Sequence, residues 1–340
     1  MSIAKKRSRI LLGAGALAAL AIGMSFLSGM DLSRNKLEDR KGTVVLPAFE
    51  ADVTAAEEIK VTTQEGSYHL RRDGQEWFLT ERGRYPIRIQ AIANLSEALA
   101  SMTFDRQMTL DPKKFDSLGL GDPHAGGTGA LMQVSNYDDD KLVDLIVGFK
   151  NGSPYIREPD EMQTWAVNAS VFPPLQNLTR WLDLDVINIG VGDIAKAQVE
   201  FADGTSYALR VKLDAPGRFE LDKPFEDALL LADYTPNPPA LALSRFDPID
   251  VVPRDEIEGD PVAIHRTITH LGLVLEAELF RDNDKYWAVF SGAIEVERDA
   301  TIAQLQDIED KVAGWAFEIS RMDFNIMTTP IEDIAIAPKD

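Results

Sequence analysis

The chain has 340 residues, 45% hydrophobic and 26% charged, with 35 Lys+Arg against 55 Asp+Glu and a formal net charge of −20. That composition excludes disordered, collagenous and low-complexity classes, and the acidic balance argues against a general nucleic-acid binder, which needs cations to neutralise phosphates. No cysteine is present. Disulfide staples, thiolate zinc ligands, thiol nucleophiles and attachment through a lipidated cysteine are therefore excluded.

The first thirty residues carry Lys5, Lys6, Arg7 and Arg9 and no acid, and the run Ile10 to Leu27 holds no charge over 18 residues. A helix of that length would rise about 27 Å, close to the ~30 Å hydrocarbon core of a bilayer. Ile10, Leu11, Leu12, Leu17, Leu20, Ile22, Phe26 and Leu27 supply its apolar surface. The basic flank predicts an N-terminus held in the cytoplasm and everything beyond Leu27 delivered to the other side. A cleaved signal peptide is the alternative. Its small-residue site, Ala21-Ile22-Gly23, would lie inside an apolar run that continues through Phe26 and Leu27, so an uncleaved anchor is preferred. With the four flanking cations removed, residues 31–340 hold 31 basic and 55 acidic side chains, a net −24. Such a body suits a solvated domain held off an anionic membrane surface.

Residues 31–57 are polar and mixed in charge, with Gly42 and Pro47 as breakers, and read as a juxtamembrane tether. Alternation then begins. Ile59–Thr63, Tyr68–Arg72 and Trp77–Leu79, separated by turns at Gln64–Ser67 and Asp73-Gly74, predict a three-stranded meander. Ile89, Ile92, Leu95, Leu99 and Met102 recur every three or four residues and predict one amphipathic helix over 87–102. Strands are expected at 131–134, 142–149, 155–157 and 164–167, with a second helix over 169–181 interrupted by Pro173-Pro174.

The same order then recurs. Gly66 and Gly204 are 138 apart, Trp77 and Phe219 are 142 apart, and Phe104 and Phe246 are again 142 apart. Strands within 263–280 and over 285–291 match those of 131–149, and 302–313 supplies a closing helix. The constant offset predicts an internal duplication of about 140 residues, longer than a solenoid period. The expected fold is α+β: an N-terminal transmembrane helix followed by two tandem, mostly antiparallel sheet-plus-helix lobes. The boundaries are 1–30 for flank and anchor, 31–57 for the tether, 58–185 for the first repeat and 186–340 for the second. The Pro-rich strip 236–253 reads as a rigid surface loop in place of a longer helix.

Gly74-Gln-Glu-Trp77, Leu118-Gly-Leu-Gly-Asp-Pro123, Trp181-Leu-Asp-Leu-Asp-Val-Ile187 and Thr269-His-Leu-Gly-Leu-Val-Leu-Glu-Ala277 together resemble a bacterial family known as domain of unknown function 4340. The resemblance covers roughly residues 59–330. It implies a membrane-anchored periplasmic protein encoded beside ABC transporters of the gliding-motility or ABC-2 type, and so a partner. It carries over no catalytic residue.

The residues themselves specify no reaction. His69, His124, His265 and His270 lack the helical spacing of a zinc site. Gly126-Gly-Thr-Gly129 precedes a strand rather than a helix and reads as a flexible loop instead of a phosphate cradle. Asp138-Asp-Asp140 lacks the glycine and distal Glu of a calcium loop and reads as a hairpin turn. Asp183/Asp185 and Glu256/Glu258 are pairs that 55 acids produce without design, and no G-x-S-x-G elbow occurs. The five tryptophans sit in periodic apolar segments and read as core. Tyr234, with Pro236, Pro238 and Pro239, is the candidate docking element, because prolines keep such a loop extended. No catalytic, cofactor or metal residue is expected. The function read from the sequence is a non-enzymatic, single-pass periplasmic accessory or scaffold subunit of an ABC-type transport or envelope complex. The alternative is an envelope-ligand module, for a glycan or lipid, using a cleft between lobes near Trp181–Val191.

Overall fold

The computed structural model of the protein describes residues 40–282 and 284–336. The basic flank, the apolar run and residues 31–39 of the expected tether lie outside them, whereas residues 40–57 are described and pair with the first unit through Gly42 N to Phe104 O and Val45 N to Met102 O. Among the described residues no helix is long and apolar enough to cross a membrane.

The described chain opens with α1 (Pro47–Asp52), β1 (Glu58–Thr63), β2 (Gly66–Asp73), β3 (Glu76–Leu79), β4 (Tyr85–Pro86) and α2 (Ile89–Ser101). Then come β5 (Thr103–Gln107), β6 (Ala130–Ser135), β7 (Lys141–Lys150), β8 (Ser153–Arg157) and β9 (Trp165–Asn168). After a long irregular stretch follow β10 (Ile194–Phe201), β11 (Ser206–Val211), β12 (Phe219–Leu221) and β13 (Leu229–Leu230). The remainder comprises α3 (Asn237–Ala240), β14 (Asp250–Pro253), β15 (Ala263–Thr269), β16 (Leu273–Asp282) and β17 (Lys285–Ile294). The last elements are α4 (Asp299–Val312), β18 (Trp315–Ile319), α5 (Arg321–Met327) and β19 (Ala335–Ile336). Sheets and a few short helices make an α+β protein whose strand pairings are antiparallel.

Two compact units share the chain. One takes the described residues up to Gln75 with Ile89–Asn177; the other takes Glu76–Arg88 with the described residues from Leu178 onward. In the first, seven strands run in the order β2-β1-β6-β7-β8-β9-β5. Val61 pairs with Tyr68 on one side and Met132 on the other, all three buried. Asn151 and Gly152, both at positive φ (51° and 78°), close β7 onto β8, the backbone that a two-residue hairpin needs. Helix α2 buries Ile92, Leu95, Ala98 and Leu99, the expected face, but Ile89 at its first position is exposed.

In the second unit eight strands run β12-β11-β10-β15-β16-β17-β18-β14. Helix α4 packs on β17, where Gly292 leaves room for Leu305: a Cβ there would lie 2.3 Å from Leu305 Cδ1.

The two sheets repeat one connectivity. A hairpin (β1-β2, β10-β11) borders a four-strand meander (β6 to β9, β15 to β18), and an edge strand that precedes the meander in sequence (β5, β14) closes it. Two buried tyrosines occupy matching places on the second strand of each hairpin. Tyr68 donates its hydroxyl to Leu175 O at 2.8 Å, and Tyr207 donates to Thr329 O at 2.7 Å.

Three expectations differ from what is observed. The helix over 169–181 is absent apart from one 3-10 turn at Leu178–Trp181, because Pro173-Pro174 removes two amide donors in mid-segment. The chain divides after Asn177 rather than 185, and the hairpin Glu76–Arg88 belongs with the second unit. Tyr85 explains that placement: its hydroxyl donates to Asp183 O at 2.9 Å and its ring meets Trp315 edge-on at 4.9 Å. The strip 236–253 is no uniform loop. It folds into α3, a 3-10 turn at Ala242–Arg245 and the edge strand β14.

Candidate docking and ligand-binding groove

The prolines of the strip act from within. Pro236 and Pro239 are buried, so neither faces a partner, whereas Tyr234 (64% exposed) and Pro238 stay at the surface. Asn237 fastens α3 to the sheet by accepting Phe219 N at 3.1 Å on its Oδ1. His265, fully buried on β15, donates from Nε2 to Pro239 O at 2.8 Å. Burial lowers the pKa of this imidazole, the hydrogen bond to Pro239 opposing, so the ring is neutral at pH 7.

Facing the strip is α5, capped by Ser320. Its hydroxyl oxygen accepts Asp323 N at 3.0 Å while the hydroxyl donates to the Asp323 carboxylate at 2.6 Å. Between the strip and α5 lies an open groove of about 820 Å³. Tyr234, Leu241, Phe246, Ile249, Met322 and Ile326 give it an apolar lining. Met322 is 69% exposed and Ile249 49%, a costly display of apolar surface unless something covers it. Phe246 is braced from behind by Phe290, ring to ring at 4.7 Å. The ionisable side chains on the lining are Tyr234, Asp247 and Asp323.

A smaller recess of about 410 Å³ adjoins it, sharing Ile249 and Ser320. Its lining includes Arg281, Lys285 and Arg321 with Asp284 and Glu318. Lys285 is engaged by Glu318 at 2.6 Å. Arg281 lies over the Tyr286 ring at 5.9 Å, and neither it nor Arg321 has a carboxylate partner among the described residues.

Of the residues singled out in the sequence, Tyr234 and Pro238 meet at the groove; the anchor residues and Lys5, Lys6, Arg7 and Arg9 fall outside the described residues. Sequence reasoning missed Met322, Ile326, Arg281 and Arg321. The spacing Ser320-x-x-Asp323 was the available signal, a helix start of the capping-box type. Trp181, Leu182, Val186 and Ile187, where a ligand cleft was expected, are core side chains. His124 and His270 are exposed, far in character from buried His265, and no group of three His, Asp or Glu suited to a metal occurs among the described residues.

The glycine run 126–129 is a packing device and not a slack loop. A Cβ on Gly127 would fall 2.3 Å from Gly121 C, and one on Gly148 would fall 2.2 Å from Gly119 O. Leu118-Gly-Leu-Gly therefore lies backbone to backbone against its neighbours, with Asp116 Oδ1 accepting Thr128 N at 2.9 Å. Beside it Arg157 is buried, its guanidinium 4.8 Å from the Phe115 ring centroid and Nη1 donating to Pro159 O at 2.6 Å. Asn136 Oδ1 accepts the amides of Asp138 and Asp140, so the acidic triplet is a turn.

Residues 77–235 match the model of the family described as Domain of unknown function (DUF4340). The match begins at Trp77 in the exchanged hairpin and ends just past Tyr234 on the rim of the groove. No curated protein matches the chain.

Proposed function

We propose that this protein is a non-enzymatic, single-pass accessory or scaffold subunit of an ABC-type transport or envelope complex, with its N-terminus in the cytoplasm and its acidic body in the periplasm. The groove carries the reading. It is a preformed apolar recess whose walls are fixed by hydrogen bonds, and the ionisable groups on it are two carboxylates and a phenol, one carboxylate already engaged by Ser320. Such a surface binds more readily than it catalyses. The basic flank with its 18 uncharged residues supports the anchor, and anchoring concentrates the body near a membrane partner without demanding high intrinsic affinity. The repeated strand order and the matched Tyr68 and Tyr207 support a duplicated scaffold.

Affinity purification of a tagged copy at native level, in mild detergent, tests it. Permease, ATPase or auxiliary subunits are expected with the tag; recovery of the chain alone across several mild detergents contradicts it.

A second reading, an envelope-ligand module, is favoured by the groove's size, which falls in the range of small-molecule sites, roughly 300–1,000 Å³. On that reading the ligand lies against α3 and α5 rather than near Trp181–Val191.

A further inference from the structure

We infer that the groove and its adjoining recess form one site for an anionic amphiphile, the acyl chain lying between α3 and α5 and the carboxylate or phosphate head meeting Arg281 and Arg321. The site rests on the ligand reading above and is independent of the accessory-subunit reading, so loss of one leaves the other standing.

Three observations converge. The two recesses share Ile249 and Ser320 in their linings, and Arg321 is the chain neighbour of Met322, so a polar recess and an apolar trough lie side by side along one wall. The trough is lined by flexible and aromatic side chains, Met322, Ile326, Leu241 and Phe246, which adapt to a chain of indefinite conformation. The head end presents three cations in a chain with 20 more acids than bases. Glu318 is taken up by Lys285, leaving Asp284 as the remaining acid there against two guanidiniums. Guanidiniums are donors suited to the oxygens of a carboxylate or phosphate.

The test uses the full chain in nanodiscs of phosphatidylcholine with a photoactivatable palmitate, its alcohol counterpart, and a photoactivatable phosphatidylglycerol. Labelled peptides are mapped by mass spectrometry. Palmitate or phosphatidylglycerol should label 234–249 and 320–327, and the two arms distinguish a free acid from a bilayer lipid as the source. R281Q/R321Q should weaken labelling by the acid about fivefold, the order of an exposed charge pair, and leave labelling by the alcohol unchanged. Both arginines are exposed, so the variant keeps its fold. Equal labelling by acid and alcohol, labelling indifferent to R281Q/R321Q, or a groove cross-linked to a polypeptide that excludes the lipid would each overturn the assignment.

Discussion

Arg82 and Asp250 stand 168 positions apart in sequence, yet they form a two-pronged ion pair: Nε and Nη2 of the guanidinium each donate to one carboxylate oxygen at 2.7 Å. Asp250 is buried at the start of β14 and also accepts Val251 N at 2.8 Å. The pair fastens the exchanged hairpin to the edge strand beside the groove, and the hydrogen bond to Asp250 raises the pKa of Arg82 despite its burial. Removing one partner leaves the other charged and half-enclosed. R82A or D250A should each cost about 3 kcal/mol in urea unfolding, and the double variant should cost clearly less than their sum. R82K, which cannot chelate both oxygens, should recover only part of the loss.

His265 makes stability depend on pH in a definite direction. Its folded pKa lies below the unfolded value of about 6.5, so between those values the unfolded chain binds the extra proton. The contribution is complete above about pH 6.5 and is lost as pH falls through that value, by at most about 1.4 kcal/mol per pH unit. His265→Gln removes the titration. Urea midpoints from pH 8 to pH 5 should fall more steeply in the parent than in the variant, and parallel curves would contradict the assignment.

The matched tyrosines give a paired test. Tyr68→Phe and Tyr207→Phe each delete one buried donor to a main-chain carbonyl and should cost about 1 kcal/mol. Burial raises the Tyr207 pKa above the ordinary phenol range, so above about pH 10 the unfolded chain deprotonates first and stability falls as pH rises. Y207F should lose that alkaline component of the slope, read from unfolding midpoints between pH 8 and pH 11.

Glycines 126 and 127 should behave oppositely although adjacent. Gly126 has φ +78° with open space around it, so G126A should cost about 1 kcal/mol of backbone strain. G127A drives a methyl into the backbone of Gly121 and Asp122 and should cost about 3 kcal/mol or more. Similar unfolding midpoints for the two would refute the close-packed reading of Leu118–Gly129.

Periodicity made much of the fold legible. Ile92, Leu95 and Leu99 declared α2, Asp73-Gly74 and the alternation about it declared strands, and the 142-residue offset from Trp77 to Phe219 foretold a repeated strand order. What escaped was non-local. Nothing near Arg82 or Tyr85 announces Asp250, Asp183 or Trp315, because those partners lie 98 to 230 residues downstream and are brought in by topology. The groove was half legible: Tyr234 and Pro238 stood out by composition, whereas Met322 and Ile326 sit on a seven-residue helix too short for its face to show. Pro236 and Pro239 misled because proline content signals a surface strip only while its carbonyls are free, and here His265 reaches one of them.

The account depends first on which side of a membrane the body occupies. A C-terminal dual reporter, alkaline phosphatase with a fluorescent protein that matures only in the cytoplasm, reads this in one assay on membrane fractions. Phosphatase activity without fluorescence, in the membrane pellet, is the predicted result. Fluorescence without phosphatase activity, or an active reporter recovered wholly in the soluble fraction, would contradict it.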